Sequence, residues 1–396
     1  MEIRRATKHD EAAVRALWAY CFERPGDPFF EWYFSRACRM EDVLLGIEAG
    51  QVACDLHLRP YRIALRGKEM AADYIVGVAT HPAARGRGLA RELLAGAFRA
   101  SREAGKAVDL LMPSDASFYQ PQGFAFYCHQ WERKASPMRL AALGRKPVSA
   151  GTLTDGSRWQ ELAQIYEAYT AGRSGYTLRD EASWAWHIES QLKEGYIAIV
   201  YDEKGPAGYL FYTIDDRQLT ASEMAFSRET GRRGLYAYMA GHLGSVDTCV
   251  WYEPMDDRSY LFWQDGAEHT YIQNRTFPYM MARLTDPAAA FTGVSVPVDL
   301  AGGAAVALVD PVLTENSGVY RLTAERGRLT MEKGGEHPAV TLTAGGAAQL
   351  LFGALSLEEL IRYGEAEWTG EGNQEETARL LHAAFPTARS WVNEWY

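Results

Sequence analysis

The chain has 396 residues, 47% hydrophobic and 23% charged, a composition typical of globular proteins with two or three domains. Its formal net charge of −10 disfavours nucleic acid as the main partner. The start is polar, no apolar run approaches the ~20 residues of a membrane span, the five cysteines are scattered, and the histidines lack metal-ligand spacing. We therefore expect a cytoplasmic protein that has no metal site and does not contact a membrane.

The first 135 residues predict an alternation of strands and helices around one layered core. A helix is predicted where Val14, Leu17 and Trp18 share one face. A second helix is predicted to begin near Leu89 and to end at about Ala104. The predicted strands comprise one at the start, two hairpins and two later strands: 2–6, 43–48 with 51–58, 61–65 with 69–78, 108–112 and 126–131.

The segment from Arg24 to Ser35 combines a loop containing Pro and Gly with five aromatic side chains. Aromatic faces beside carboxylates can hold an ammonium group and the carbon frame around it. Asp27, Phe30 and Trp32 are therefore candidates for binding a cationic amine. The alternative is that these aromatic residues form the core of a second helix, with Asp27 exposed.

The stretch from Tyr74 to Phe98 predicts a strand, a glycine-rich turn and a helix. The first backbone N–H groups of a helix are unpaired and lie at the positive end of its dipole, so they attract anions. The turn Arg85-Gly86-Arg87-Gly88-Leu89-Ala90 adds two guanidinium groups and removes two side chains, as a pyrophosphate site requires. It is neither a Walker loop nor a dinucleotide fingerprint.

The same order of elements begins again after a joint at 144–155. Its turn, which contains Arg232-Arg233-Gly234, retains one usable glycine and lacks the preceding Val-x-Val. A further joint at 285–287 leads into short strands and then helices at 346–353, 357–363 and 375–384.

The turn resembles the acetyl-CoA-binding segment of the GNAT N-acetyltransferases, Arg/Gln-x-x-Gly-x-Gly/Ala, and Phe118-Tyr119-x-x-x-Gly123 strengthens the likeness. This resemblance implies that Val76, Val78 and residues Arg85, Gly86, Arg87, Gly88, Leu89 and Ala90 bind acetyl-CoA. Residues 150–285 resemble a degenerate second copy that binds no CoA. The last third resembles a sterol-carrier-protein-like domain.

Together these features resemble the Eis family of tandem GNAT enzymes. The resemblance implies an α/β (α+β) fold with a catalytic GNAT domain at 1–145, a degenerate GNAT-like domain at 146–285 and a sterol-carrier-like domain at 286–396. It also implies a homo-oligomer, a hexamer in the family.

The family resemblance implies acetyl transfer from acetyl-CoA to a primary amine in a ternary complex. The acceptor would be aminoglycoside-like, a polyamine or a lysine side chain. Tyr119 would be the general acid, with Tyr127 as its competitor, and the backbone N–H of Val78 would stabilise the oxyanion. The terminal carboxylate of Tyr396 would accept the proton of the amine, and Glu394 would contact the substrate.

Two alternatives stay open from the sequence. The chain could be a non-catalytic module that binds CoA or lipid, which predicts an open apolar cavity within 287–396 and an inert Tyr119. Alternatively, the C-terminal tail, whose Trp391 and Trp395 are expected to dock it, could be only a subunit contact.

Overall fold

The computed structural model describes residues 1–263 and 272–395, which form two β-sheets flanked by helices. The larger sheet has thirteen strands: Glu2–Arg5 (β1), Val43–Glu48 (β2), Gln51–Leu65 (β3), Lys68–Thr80 (β4), Val108–Leu111 (β5), Ala125–Ala135 (β6), Ser149–Leu153 (β7), Tyr176–Thr177 (β8), Tyr196–Asp202 (β9), Gly205–Asp215 (β10), Gln218–Phe226 (β11), Thr248–Pro254 (β12) and Gln273–Leu284 (β13). The smaller sheet has five: Gly302–Val309 (β14), Gly318–Glu325 (β15), Arg328–Lys333 (β16), Val340–Thr343 (β17) and Ala366–Trp368 (β18).

The helices fall on both sides of the larger sheet and against the smaller one. They are Glu11–Cys21 (α1), Pro28–Trp32 (α2), Leu89–Glu103 (α3), Ala116–Tyr119 (α4), Pro137–Leu143 (α5), Trp159–Thr170 (α6), Glu181–Glu194 (α7), Glu229–Ala240 (α8), Pro287–Phe291 (α9), Ala344–Phe352 (α10), Leu357–Tyr363 (α11) and Gln374–Ala384 (α12). No helix within the described residues has both the length and the apolar character needed to cross a membrane.

The larger sheet joins the two halves of the chain by exchanging strands. Its order is β1-β2-β3-β4-β5-β13-β6-β12-β11-β10-β9-β7, so β13 lies between β5 and β6, and β6 pairs with β12. One hydrogen-bonded sheet therefore includes strands from both halves of the chain, which the predicted joint at 144–155 divides in sequence. Each half obtains one strand from the other.

Several segments differ from the sequence-based prediction. The two predicted hairpins share one long strand, β3, which continues through Pro60. The residues of β3 that pair with β2 end at His57, and those that pair with β8 begin at Ile63, so Pro60 lies between the two pairings. At such a position the missing N–H of proline is tolerated. The predicted joint contains edge strand β7, which pairs with β9. Helix α7 was not predicted, because its aromatic and charged residues weaken the periodicity of its apolar positions.

Helix α3 matches its prediction, since Leu89, Leu93, Leu94, Ala97 and Phe98 are all buried against the sheet. In the third domain, Leu351, Phe352, Leu380 and Phe385 are at most 1% exposed and pack in one core that continues into the first half of the chain. These side chains occupy part of the interior in which the lipid-binding alternative expects an open cavity.

Candidate active site

The centre of the first half is the point where β4 and β5 separate. The two parallel strands pair only from Ala72–Val108 to Tyr74–Leu110. Beyond Tyr74 the strand β4 continues to Thr80, whereas β5 ends at Leu111. The strands therefore leave a V-shaped gap, called here the first cleft, which opens at the carboxyl ends of two parallel strands, where α/β folds commonly bind ligands.

A β-bulge in β4 shapes the wall of the first cleft. The register between β3 and β4 shifts so that His57 faces Val76 and Asp55 faces Ala79, leaving Gly77 and Val78 in the bulge. Gly77 has φ +60°, and an added Cβ would lie 2.4 Å from the ring of Trp18, so glycine is required there. Because a bulge leaves a residue out of the ladder, backbone groups at this point can serve a ligand.

Helix α3 begins at the mouth of the first cleft without a side-chain cap. Its N-cap is Gly88, with φ +80°, whereas α2, α4, α7 and α10 begin with a side chain that accepts from their first N–H groups. An added Cβ at Gly86 or Gly88 would meet no atom within 4 Å. The helix terminus therefore presents donors and a positive dipole to an open space, which is the arrangement that binds phosphate.

The first cleft has two connected parts that share Phe22, Val78, Ser114 and Tyr119. The outer part, about 600 Å³, is lined by the turn at 84–91 and by Asp115 and Phe118. The inner part, about 200 Å³, reaches along β4 past Val76 to Tyr74. A long, narrow ligand with an anionic end fits this shape.

The two arginines of the predicted anion site have different positions. Arg85 lines the outer part, and its Nε donates to the Thr80 carbonyl at 3.1 Å. Arg87 instead pairs with Glu48 at 2.7 Å. Arg91, in the first turn of α3, lines the outer part although it was not selected from the sequence; its place at the start of the predicted helix was the available signal.

Tyr119 lies where the two parts of the first cleft meet and is 8% exposed. Burial raises the pKa of its hydroxyl, an effect only partly offset by a hydrogen bond with Ser114. Tyr127 is elsewhere: its hydroxyl donates to the Gly175 carbonyl at 3.2 Å and its ring packs on Phe352. Of these two tyrosines, Tyr119 is the one that lines the first cleft.

Three family models match the chain in series. A GNAT acetyltransferase domain matches residues 2–127, a second GNAT acetyltransferase domain matches 175–284, and a sterol carrier protein domain matches 289–393. The chain is a tandem GNAT acyltransferase. None of the curated proteins matches it.

Solved structures share the whole architecture of this tandem GNAT chain at low sequence identity. A probable N-acyltransferase from Enterococcus faecalis is 18% identical with a TM-score of 0.86, covering 100% of this chain and 99% of its own. A GCN5-related N-acetyltransferase from Anabaena variabilis is 18% identical with a TM-score of 0.85, and Eis1 from Mycobacterium abscessus is 16% identical with a TM-score of 0.76; each covers 100% of both chains. These similarities confirm the Eis-like fold.

In the structure, the residues of the first GNAT domain that were predicted to bind an amine have structural roles. Asp27 caps α2, because its Oδ1 accepts from the N–H groups of Phe29 and Phe30. Phe30 is fully buried beneath Arg15, and Trp32, 4% exposed, packs on Trp186. The core alternative considered for this segment therefore describes Phe30 and Trp32.

Glu23 lines the inner part of the first cleft, a position that the sequence analysis missed. Its carboxylate accepts from the indole N–H of Trp18 at 2.9 Å, and it is partly exposed. It is the one charged residue among those lining this part in the described chain. The sequence signal was its place directly after α1, four residues before Asp27.

Glu394 is held within the protein rather than free for a substrate. It is 3% exposed and accepts from Tyr61 at 3.1 Å, from the Arg179 Nη2 at 3.1 Å and lies 3.2 Å from the His187 Nε2. Burial opposes its ionisation, but the charges of His187 and Arg179 outweigh this and bring its pKa to about 2. Tyr396 lies outside the described residues.

The second GNAT domain has the same plan but a filled turn. Its parallel strands β11 and β12 pair from Gln218–Thr248 to Ala221–Trp251 and then separate, and α8 follows β11. The gap between them is called here the second cleft. At the start of α8, Arg228 and Thr230 bind Asp202 at 2.5 and 2.6 Å, which holds the pKa of that carboxyl well below its usual range.

Gly231 closes the turn of the second GNAT domain sterically. An added Cβ at this residue would lie 2.0 Å from the Ala207 carbonyl oxygen, so the turn is packed directly on β10. The neighbouring Arg232 pairs with Asp257 at 2.8 Å and with Glu229 at 2.5 Å. The side chains of Arg228, Thr230 and Arg232, which could contact a pyrophosphate, are thus already paired within the protein.

Proposed function

We propose that the first GNAT domain transfers an acetyl group from acetyl-CoA to a primary amine while both are bound in the first cleft. The observation that supports this is the open, uncapped start of α3 at the mouth of a narrow cleft whose outer and inner parts meet beside Tyr119. Acetyl-CoA supplies the reactive thioester. Its pyrophosphate fits the turn at 85–90, and its pantetheine arm fits along β4 between Val76 and Val78.

The residues of the first cleft have separate roles in this proposal. The backbone N–H of Val78, in the bulge, donates to the carbonyl oxygen of the thioester as negative charge develops there. Tyr119, whose raised pKa keeps it protonated, gives its proton to the departing CoA sulfur. The carboxylate of Tyr396 accepts the proton that the amine loses.

The residues that line the inner part of the first cleft favour a cationic amine as the acceptor of the acetyl group. Glu23 supplies a carboxylate, and the rings of Trp18, Phe29 and Tyr74 line the same space. Carboxylate and aromatic faces together bind an ammonium group and its carbon frame. An aminoglycoside-like compound, a polyamine and a lysine side chain all present such a group.

A chain extended by two glycines after Tyr396 tests this proposal. The extension keeps every side chain and moves the terminal carboxylate by roughly 7 Å. We expect turnover of acetyl-CoA with a polyamine, followed as free CoA, to fall by about 10² or more, with little change in melting temperature. Tyr396→Phe, which keeps the carboxylate in place, is the matched control and should be mild; full activity of the extended chain would refute the role of the carboxylate.

A further inference from the structure

The second cleft contains a segment of the chain itself. The side chain of Asn393 donates to the Ser222 carbonyl at 3.1 Å and to Glu223 at 2.9 Å, both on β11. On the other side, Gln130 of β6, which is the neighbour of β12, donates to the Val392 carbonyl at 3.0 Å. Residues 391–395, called here the tail, therefore lie between the separated strands.

The position of the tail matches the ligand position in the first cleft. Strand β11 has a bulge at Ser222, one residue beyond its last pairing with β12, just as β4 has a bulge shortly beyond Tyr74. Asn393 binds at this bulge. The tail thus occupies in the second GNAT domain the place that the acetyl-CoA arm is proposed to occupy in the first.

A buried charge network fixes the tail there. Arg179 lies between the rings of Tyr166 and Trp184, 4.4 and 5.0 Å away, and binds Glu223 through two 2.8 Å contacts. The same guanidinium donates to the Asn393 carbonyl at 2.8 Å and to Glu394 at 3.1 Å. A buried guanidinium that binds two carboxylates is a geometrically specific clamp.

The two ends of the tail contact different domains. Trp391 packs on Tyr166 and Tyr169 of α6 in the second domain. Tyr74, at the inner end of the first cleft, donates to the Glu394 carbonyl at 3.0 Å. The tail therefore extends from the second cleft to the wall of the first cleft.

We propose that the second GNAT domain has become a receptor for the chain's own C-terminal peptide, with Arg179 as the residue that positions it. The ligand is an aromatic and acidic peptide, Trp391 to Trp395, and the site is the second cleft. The effect on turnover rests on the proposed function of Tyr396, whereas the binding of the tail does not.

Arg179→Met tests the clamp through the accessibility of the C-terminus. We expect a carboxypeptidase to release the last residues of this variant at least ten times faster than those of the unaltered chain, as followed by mass spectrometry. Arg133→Met is the matched control, because Arg133 is also fully buried and pairs with Glu253 and Asp257, but it has no hydrogen bond or ion pair with the tail among the described residues. It should lower stability and leave release unchanged.

Asn393→Ala provides a second test if Arg179→Met does not fold. It removes the contacts with Ser222 and Glu223 but keeps the Arg179–Glu223 pair, and it should also accelerate release. Release at the unaltered rate in a folded variant would overturn the proposal. Faster release with undiminished turnover would instead support the receptor and refute the catalytic role of the terminal carboxylate.

Discussion

The two GNAT domains of this chain place the same elements around two clefts that differ in what fills them. In the first, Gly86 and Gly88 leave the start of α3 open. In the second, Gly231 is packed on Ala207, and Asp202 occupies the donors of Arg228 and Thr230. The two turns therefore differ in a few contacts, whereas the topology around them is the same.

Replacing Tyr119 by Phe should produce the largest effect among tests of this comparison. The change removes a proton donor from the first cleft, so we expect turnover to fall by about 10² to 10⁴ with acetyl-CoA affinity nearly unchanged. Steady-state kinetics and calorimetry measure the two quantities. Tyr127→Phe is the control, since its hydroxyl binds Gly175, and a larger loss in that variant would reassign the acid.

Substituting one glycine in each turn should lower ligand affinity in the first turn only, although substitution of Gly88, which has φ +80°, also costs stability. Gly88→Glu places a negative charge where the pyrophosphate fits, and we expect acetyl-CoA affinity to fall about 10²-fold in calorimetry. Gly231→Ala should leave affinity unchanged and cost about 1–3 kcal/mol of unfolding free energy in urea titration, because its Cβ overlaps β10. The reverse pattern would contradict the assignment of the two turns.

The stoichiometry of CoA binding also distinguishes the two clefts. A filled second cleft predicts one CoA per chain in a calorimetric titration of the full chain. A second site would mean that the contacts of Asp202 and Gly231 open in solution.

The pH dependence of turnover should show the smallest effect. The pKa of Tyr119 is raised, so its hydroxyl keeps the proton that it donates to higher pH than an ordinary tyrosine with a pKa of about 10. Turnover should therefore not decline between pH 7 and 10 on account of this group. A decline below pH 9 that is absent in Tyr119→Phe would show that the hydroxyl ionises early.

Much of the first cleft could be predicted from sequence because its signals are local. The strand, the turn at 85–90 and the amphipathic α3 follow one another within about 30 residues, and Tyr119 belongs to a short motif. The acceptor side could not be predicted, because composition does not distinguish Asp27, which caps α2, from Glu23, which lines the first cleft. The contacts of Arg179 with Glu223 and Glu394 join residues far apart in sequence, so no local pattern indicates them.

The exchange of β6 and β13 has a consequence for how the chain is made. During synthesis the sheet of the first half lacks its strand between β5 and β6 until residue 284 has left the ribosome. Closure of that sheet then waits for a contact between residues about 170 positions apart, Leu111 and Met281, which is a slow and non-local step. The nascent chain must therefore carry an unpaired β5 edge while about 170 further residues are synthesised, and an early stop before β13 leaves that edge open to other strands.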